Sequence, residues 1–295
     1  MRPHVPVLLD RLIETLGDIA GKTIIDTTFG AGGYSRRFLE LGASVIAFDR
    51  DPTVRKFSDI LLGEYPGVFQ FINAPFSTMS SRLNNIISLP YRADQGLNID
   101  AIIFDLGISS MQIDSPERGF SWRFDAPLDM RMGNGISAAD MIKDMSVAEL
   151  AKILREYGDV RKSGVIAAVI KQQMPQTTFA LRDLIHNPKD IAPVFQALRI
   201  AVNDEIGELE HALKVAPYLL GPDGIIGTVT FHSLEDRIVK NKFRDLTRLL
   251  GDPKIPDPAE QIPHFALLKT YRPDHLELAM NPRARSAHLR AIARR

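Results

Sequence analysis

Three glycines and an acidic residue near the amino terminus have the types and spacing of a nucleoside-cofactor site. The run 23–28 is apolar and rich in β-formers, which predicts a buried parallel strand. The loop after it carries glycines that allow a tight turn and let a ligand approach bare backbone: Gly30, Gly32 and Gly33. The pattern of 34–41 predicts a helix whose first amides face that loop. A second apolar strand, 44–49, ends at Asp49, where such folds usually hold a ribose hydroxyl.

Two residues around the loop distinguish between candidate cofactors. The dinucleotide fingerprint requires a third glycine at position 35, but this chain has Ser35. Asp26 precedes the turn, and a carboxylate there suits a ligand with an ammonium or sulfonium cation better than a pyrophosphate. S-adenosylmethionine carries both cations and no phosphate, so we favour it over a nicotinamide cofactor. A glycine turn that binds no ligand is the structural alternative.

The composition limits the chemistry that the chain can perform. It has 295 residues and zero formal net charge, with 45% hydrophobic and 24% charged residues, as ordinary globular proteins do. The absence of cysteine excludes disulfides, thiolate zinc sites and transfer to carbon 5 of a pyrimidine, which normally needs a cysteine nucleophile. Any methyl acceptor should therefore be nucleophilic by itself, such as an amine or a hydroxyl. No cluster of ligating residues in the sequence demands a metal.

Other features of the sequence concern location and partners. No apolar stretch is long enough to span a membrane, and the amino terminus lacks a secretory signal, so we expect a cytoplasmic protein. The segment 283–295 contains five arginines and no acidic residue, so it could neutralise phosphates or be a solvated terminal strand. The oligomeric state stays open, with a homodimer as one option.

The order of elements predicts a doubly wound α/β sheet with an all-helical insertion. The expected strands are 23–28, 44–49, 69–74, 99–105 and 225–231, followed by 265–271 and 287–292. The expected helices of the insertion are 138–143, 147–157, 164–174 and 178–186, after which Pro188 and Pro193 interrupt the pattern. Later elements are one helix over 195–213, another over 234–250 and a loop over 253–263. The core would thus comprise 1–111 and 206–295, with 112–205 inserted.

Ligands of open α/β sheets bind beyond the carboxyl ends of the strands, and three expected strands end in suitable residues. Phe76 follows the third strand and could stack on an adenine or belong to the core. Asp105 ends an otherwise apolar strand, where a carboxylate needs a partner, and we expect it to face a ligand. The fifth strand is followed by the polar segment 232–236.

Several long motifs occur along the chain in a fixed order. They are HVPVLL at 4–9, DTTFGAGG at 26–33, FDLGISS at 104–110, RGFSW at 118–122, APLDMRM at 126–132, FQALRI at 195–200, FHSLEDRIV at 231–239 and NPRARS at 281–286. With these motifs the chain closely resembles, over nearly its whole length, the bacterial 16S ribosomal RNA cytosine-N4 methyltransferases, first described as MraW proteins. The chain departs from the usual family pattern at Tyr34, where histidine is common, and at 133–135 and 158–161.

The resemblance implies a Rossmann-like class I S-adenosylmethionine-dependent methyltransferase core with an inserted all-helical domain on the substrate side. It implies S-adenosylmethionine as cofactor and 16S ribosomal RNA in the small ribosomal subunit as partner. The acceptor would be the exocyclic N4 amine of a cytidine in the decoding region, unstacked to enter the pocket. Matching motifs assign the cofactor contacts to Gly32, Gly33, Tyr34, Asp49, Phe76, Asp105 and Gln112.

Polar residues near the expected strand ends and in the insertion are candidates for handling the amine. A cytosine amine is a poor nucleophile, and hydrogen-bond acceptors for its protons would support the transition state. The candidates are Asp105, Asp129, Arg131, His232 and Asp236. Alternative roles stay open for several of them: His232 could cap the following helix, Arg131 could pair with Asp129 or Asp125, and Asp105 could hold the cofactor without acting on the amine. Two rival functions are a small-molecule methyltransferase with the insertion as a lid, and an assembly factor that keeps the cofactor as a structural ligand.

Overall fold

The computed structural model describes residues 6–86, 99–248 and 264–295. The chain divides into two compact units, one comprising Met1–Gly107 and Glu208–Arg295 and the other Ile108–Gly207. The expected limits of the insertion were 112 and 205. The loop expected at 253–263 and the end of the helix expected at 234–250 lie outside the described residues.

Within the described residues, the first unit holds a seven-stranded sheet in the order β3-β2-β1-β4-β5-β7-β6. Its strands are β1 Thr23–Asp26, β2 Ser44–Asp49, β3 Phe69–Asn73, β4 Ile99–Asp105, β5 Leu220–Thr230, β6 Phe265–Leu267 and β7 His288–Arg294. Strands β1 to β5 pair in parallel, whereas β7 is antiparallel to both β5 and β6. The carboxyl ends of the five parallel strands therefore share one edge of the sheet.

Thirteen α-helices of the described residues connect or follow these strands. They are α1 Leu9–Leu16, α2 Gly33–Glu40, α3 Arg55–Glu64, α4 Met79–Ile86, α5 Ser110–Asp114, α6 Ala138–Asp144, α7 Val147–Gly158, α8 Ser163–Gln173, α9 Thr178–Asp183, α10 Pro188–Asn203, α11 Glu205–Leu219, α12 Ser233–Leu246 and α13 His275–Met280. Helices α5 to α10 lie wholly in the second unit.

The core of the first unit forms because its central strands are apolar on both faces. Ile25, Phe48, Ile102, Phe104 and Ile226 are all fully buried in one cluster. Burial of one such side chain contributes about 1.5–3 kcal/mol, so these strands stabilise the sheet that holds the residues at the carboxyl ends of β1, β2 and β4.

The second unit has a separate helical core. Ser146 and Glu149 form a capping box that starts α7. Leu150 and Leu154, one turn apart, are fully buried in the same cluster as Leu198 of α10. All of 112–205 is described, and it contains no strand, only an isolated bridge between 127 and 177, as the sequence predicted.

One helix prediction is wrong. The apolar spacing over 195–213 predicts a single helix, but α10 ends at Asn203 and α11 begins at Glu205. Asp204 between them adopts left-handed backbone with φ of 47°. The Asn203 side chain donates to the Met130 carbonyl at 2.8 Å and accepts from the Met132 amide at 2.8 Å. These long-range bonds stabilise the helix end at Asn203, although the apolar spacing continues through it.

Two further boundaries differ from expectation. Pro188 and Pro193 were expected to interrupt helical structure, but both belong to α10. Pro188 fits because the first helical position needs no amide donor, and the Asn187 side chain caps the same turn. The fifth strand begins at Leu220 rather than 225, since its pairing with β4 continues across an irregularity between Ile99 and Ala101.

Candidate functional site

The glycine loop follows β1 and is shaped by contacts with its own chain. Gly32 adopts left-handed backbone with φ of 79° at the start of α2. A Cβ atom at Gly32 would lie 2.8 Å from the Phe29 ring, and one at Gly33 would overlap the ring of Pro6. Both positions therefore require glycine, and their bare backbone leads into the first amides of α2, which have no intrahelical acceptor.

Asp49, at the end of β2, holds the loop from the neighbouring strand. Its Oδ2 accepts from the Gly30 amide at 2.8 Å and its Oδ1 from the Asp51 amide at 2.8 Å. Burial raises the pKa of Asp49 to about 6, although both amide bonds oppose the rise. The predicted ribose-binding carboxylate thus lies beside the predicted glycine loop.

Asp26, at the end of β1, is fully buried under the loop. Its Oδ2 accepts from the Ser35 hydroxyl at 2.6 Å, and its Oδ1 accepts from the Thr28 amide at 3.2 Å. Burial raises the pKa of Asp26 to about 6. Ser35, which the sequence presented only as a departure from the dinucleotide fingerprint, therefore orders the acidic end of β1.

Asp105, at the end of β4, has the most unusual environment of the three acids. Its backbone amide donates to the Thr28 hydroxyl at 2.8 Å. Its Oδ1 is buried and has no hydrogen-bond partner within the described part of the chain. Burial, followed by the charges of Asp26 and Glu235, raises the pKa of Asp105 well above its usual value. A buried acceptor without a partner is unusual in folded proteins, and the role of Asp105 toward a ligand stays a prediction.

The two aromatic residues predicted at the cofactor site, Phe76 and Tyr34, differ in burial and in their contacts. Phe76 follows β3, is half-buried, and packs edge-to-face on Phe104 with ring centroids 5.8 Å apart. Tyr34 is buried, and its hydroxyl donates to the Val7 carbonyl. Burial, with the charges of nearby carboxylates, raises the pKa of Tyr34 well above its usual value, so the hydroxyl stays a donor. The contact that Tyr34 can offer a cofactor is therefore its backbone amide.

The charge of this site fits a cationic ligand. Asp26, Asp49 and Asp105 each contact the loop, and none forms an ion pair with a basic side chain among the residues that the structure describes. Uncompensated buried carboxylates favour a cation and repel a phosphate. The orphaned Oδ1 of Asp105, the bare glycine backbone and this acidic surrounding suit the sulfonium and ammonium groups of S-adenosylmethionine.

His232 and Asp236 follow β5 in the same unit. His232 caps α12: its Nδ1 accepts from the Glu235 amide at 3.4 Å, which places the ring proton on Nε2. Nε2 is buried and lies 3.0 Å from Glu235 Oε1, but the alignment is too poor for a hydrogen bond. Asp236 accepts from Arg290 at 2.8 and 3.0 Å. Burial raises the pKa of Asp236, but Arg290 and His288 outweigh this effect, so the pKa lies below its usual value.

Glu235 is a buried acid that the sequence reading did not single out. It is 3% exposed, and its Oε2 accepts from the amides of Phe231 and His232 at 2.8 and 3.3 Å. Together with His232 it forms a capping box, and a glutamate at the third position after a helix cap is the sequence signal that could have found it.

The remaining predicted residues belong to the second unit. Arg131 pairs with Asp129 through Nε–Oδ1 and Nη2–Oδ2 bonds of 2.8 and 2.7 Å, which lowers the pKa of Asp129. A third Arg131 nitrogen donates to the Gly135 carbonyl at 3.1 Å. The Gln112 side chain accepts from the Ser109 amide at 3.0 Å in a capping box. The alternative in which Arg131 pairs with Asp129 is therefore observed, and the roles of these residues toward ligands stay predictions.

Two general properties complete the description. In the described ranges, every helix is too short or too polar to cross a membrane. The same residues contain no group of three or more His, Asp or Glu side chains arranged to hold a metal ion.

The sheet order, the glycine loop and the acids that end β1, β2 and β4 define the class of S-adenosylmethionine-dependent methyltransferases. The chain belongs to the MraW methylase family, whose model matches residues 1–295. S-adenosylmethionine is accordingly the cofactor, as the sequence predicted.

Two curated relatives are named ribosomal RNA small subunit methyltransferase H. The protein of Brucella anthropi is 42% identical over 305 residues, covering 98% of this chain and 86% of that protein. The protein of Granulibacter bethesdensis is 45% identical over 311 residues, covering 98% of this chain and 90% of that protein. The superposition on a solved rRNA methylase from Streptococcus thermophilus covers 97% of this chain and 93% of the other, with 13% identity and a TM-score of 0.39.

Proposed function

We propose that this protein transfers a methyl group from S-adenosylmethionine to the exocyclic N4 amine of a cytidine in the decoding region of 16S ribosomal RNA. The observation that carries the proposal is the identity of 42–45% with ribosomal RNA small subunit methyltransferases H across 98% of the chain. The absence of cysteine supports an amine acceptor over carbon 5 of the pyrimidine, because transfer to that carbon normally needs a thiol nucleophile.

In this proposal, the first unit holds the cofactor. Asp49 would bind the ribose hydroxyls, Phe76 the adenine, and the first amides of α2 the carboxylate of the methionine part. Asp105 would face the cationic groups with its unpartnered Oδ1. For Gln112, which belongs to the second unit, the assigned cofactor contact rests on the family resemblance alone. Bound S-adenosylmethionine supplies an electrophilic methyl group for in-line transfer.

Two groups of the first unit are proposed to handle the amine. The amine must lose a proton as the new carbon–nitrogen bond forms, and Asp105, ionised when it faces the cationic cofactor, would accept that proton on Oδ1, which has no hydrogen-bond partner among the described residues. His232 offers a buried Nε2–H donor with no other hydrogen-bond partner among the described residues. Such a fixed donor would orient the base by bonding to one of its acceptors.

The partner-facing part of the proposal concerns the second unit. Asp129 and Arg131 would shape the acceptor pocket, with their bidentate pair holding the loop in one geometry. The small ribosomal subunit is the proposed partner, in the cytoplasm. A homodimer is the proposed assembly, and light scattering of the purified protein would measure its mass.

The decisive experiment combines purified protein, labelled S-adenosylmethionine and small subunits from cells that lack this activity. The RNA is then digested, and its nucleosides are separated. Label in N4-methylcytidine is the expected result, and label in another nucleoside would refute the proposed acceptor. Cofactor binding without any labelled RNA would favour a small acceptor or an assembly role instead. An Asp59→Asn variant, changed at an exposed position of α3, serves as the control and is expected to label RNA normally.

A further inference from the structure

The amino-terminal segment, residues 6–8, lies against the glycine loop although nothing in the proposed chemistry uses it. The Pro6 ring occupies the space that a Cβ at Gly33 would need. Val7 and Leu8 are 5% and 2% exposed. The segment is therefore packed directly against the backbone to which the cofactor is assigned.

A single peptide unit of this segment is held from two sides. The carbonyl of Val7 accepts from the Tyr34 hydroxyl, and the amide of Leu8 donates to Glu277 Oε1 at 2.6 Å. These two groups belong to the same peptide bond. Tyr34 lies on α2 directly after the loop, whereas Glu277 lies on α13, near the other end of the chain.

The backbone at Leu8 also requires such support. Leu8 adopts left-handed backbone with φ of 57° at the start of α1 and receives no side-chain cap. A leucine in this region is strained, and strained residues persist only where the surroundings determine their conformation. The bonds from Tyr34 and Glu277 provide this determination.

We propose that Tyr34 and Glu277 are positioning residues that hold residues 6–8 as a wall of the cofactor site and thereby strengthen cofactor binding. The proposal rests on the assignment of S-adenosylmethionine to the glycine loop. It gives the Tyr34 side chain a role distinct from the backbone contact assigned to that residue. Because both side chains act on one peptide unit, removing either should release the segment.

The test measures S-adenosylmethionine binding by calorimetry in the absence of RNA. Tyr34→Phe and Glu277→Ala are each expected to raise the Kd about tenfold, in line with the loss of one buried hydrogen bond. The double variant should be little weaker than either single variant, since the two changes share one effect. Glu277→Gln keeps an acceptor for the Leu8 amide and should bind nearly as wild type. Arg11→Ala, which removes an exposed pair with Glu14 on α1, is the matched control.

A second readout follows the segment itself. Hydrogen exchange of the Leu8 amide, measured by NMR on the free protein, should accelerate at least tenfold in Glu277→Ala and in Tyr34→Phe but not in Arg11→Ala. Circular dichroism establishes that the variants are folded.

The possible results distinguish the proposed role of Tyr34 and Glu277 from the proposed acceptor and from the cofactor assignment. A Kd raised in Tyr34→Phe but unchanged in Glu277→Ala would mean that the tyrosine hydroxyl touches the cofactor, which overturns the proposal. Unchanged Kd values in both variants would overturn it as well. Wild-type protein that binds S-adenosylmethionine but does not label RNA would refute the proposed acceptor while leaving this inference standing. Wild-type protein that fails to bind it would refute the cofactor assignment and this inference together.

Discussion

Replacement of Asp26 by asparagine tests whether the glycine loop lies over a destabilising buried charge. Asparagine has nearly the same shape as aspartate and keeps an acceptor for the Thr28 amide, while its side-chain amide can still bond to the Ser35 hydroxyl. The variant therefore removes the negative charge and leaves the packing in place.

The size of the expected change in the free energy of unfolding follows from the pKa of Asp26. Burial raises this pKa from 3.8 to about 6, so the folded protein binds the proton more tightly than the unfolded chain does. The resulting contribution to stability is fully present below about pH 4 and is lost as the pH rises through about 6. A difference of about 2 pKa units corresponds to about 3 kcal/mol. The free energy of unfolding of Asp26→Asn, relative to wild type, should thus increase by about 3 kcal/mol between about pH 4 and pH 8.

Urea unfolding followed by circular dichroism over this pH range measures the difference. Asp59→Asn is the matched control, because it makes the same substitution at a side chain that is 58% exposed. A stability difference for Asp26→Asn that stays constant from pH 4 to pH 8 would refute the reasoning. A variant that becomes less stable than wild type with rising pH would refute it more strongly.

Three further changes test other parts of the molecule. His232→Ala should abolish methyl transfer to RNA but leave cofactor affinity nearly unchanged, because His232 is not assigned to the cofactor and its lost helix cap costs only about 1 kcal/mol of stability; normal turnover would contradict its proposed role. Asp105→Asn should weaken S-adenosylmethionine binding at least about tenfold. Wild-type affinity should rise with pH as the raised pKa of Asp105 is passed, and calorimetry should find a smaller rise in the variant, where of the three acids only Asp26 and Asp49 still titrate. Leu198→Ala, in the core of the second unit, should lower the free energy of unfolding by about 2–5 kcal/mol, measured by the fluorescence of Trp122, and a smaller loss would mean that the core collapses around the cavity.

Regular elements of the fold could be predicted where local sequence alone determines them. The limits of β2 and β4 agree with the predicted 44–49 and 99–105, because each is an apolar run that ends in an aspartate. The break at Asp204 could not be predicted. It depends on bonds from Asn203 to a loop more than 70 positions earlier in the chain, and apolar spacing carries no information about such contacts.

Some features of the candidate site could likewise be predicted from the sequence, whereas others depend on contacts that form only in the folded chain. The positions of Asp49 and Asp105 at strand ends followed from residue type and spacing, together with the rule for ligands of open sheets. The contact of the Tyr34 hydroxyl with the Val7 carbonyl could not be foreseen, because it joins segments that meet only in the folded unit. The same holds for the effect of the Glu235 charge on Asp105. The functional roles of these residues remain predictions.

The discontinuous first unit has a consequence for synthesis on the ribosome. Strand β4 ends at Asp105, but its parallel partner β5 begins only at Leu220. At a synthesis rate of about 5–20 residues per second, β4 waits on the order of ten seconds for that partner. During this time its apolar edge is open to mispairing, while the second unit is being synthesised. In a nascent chain, the strand that carries Asp105 therefore pairs with β5 late in synthesis. Chaperones that shield exposed strands can act in that interval.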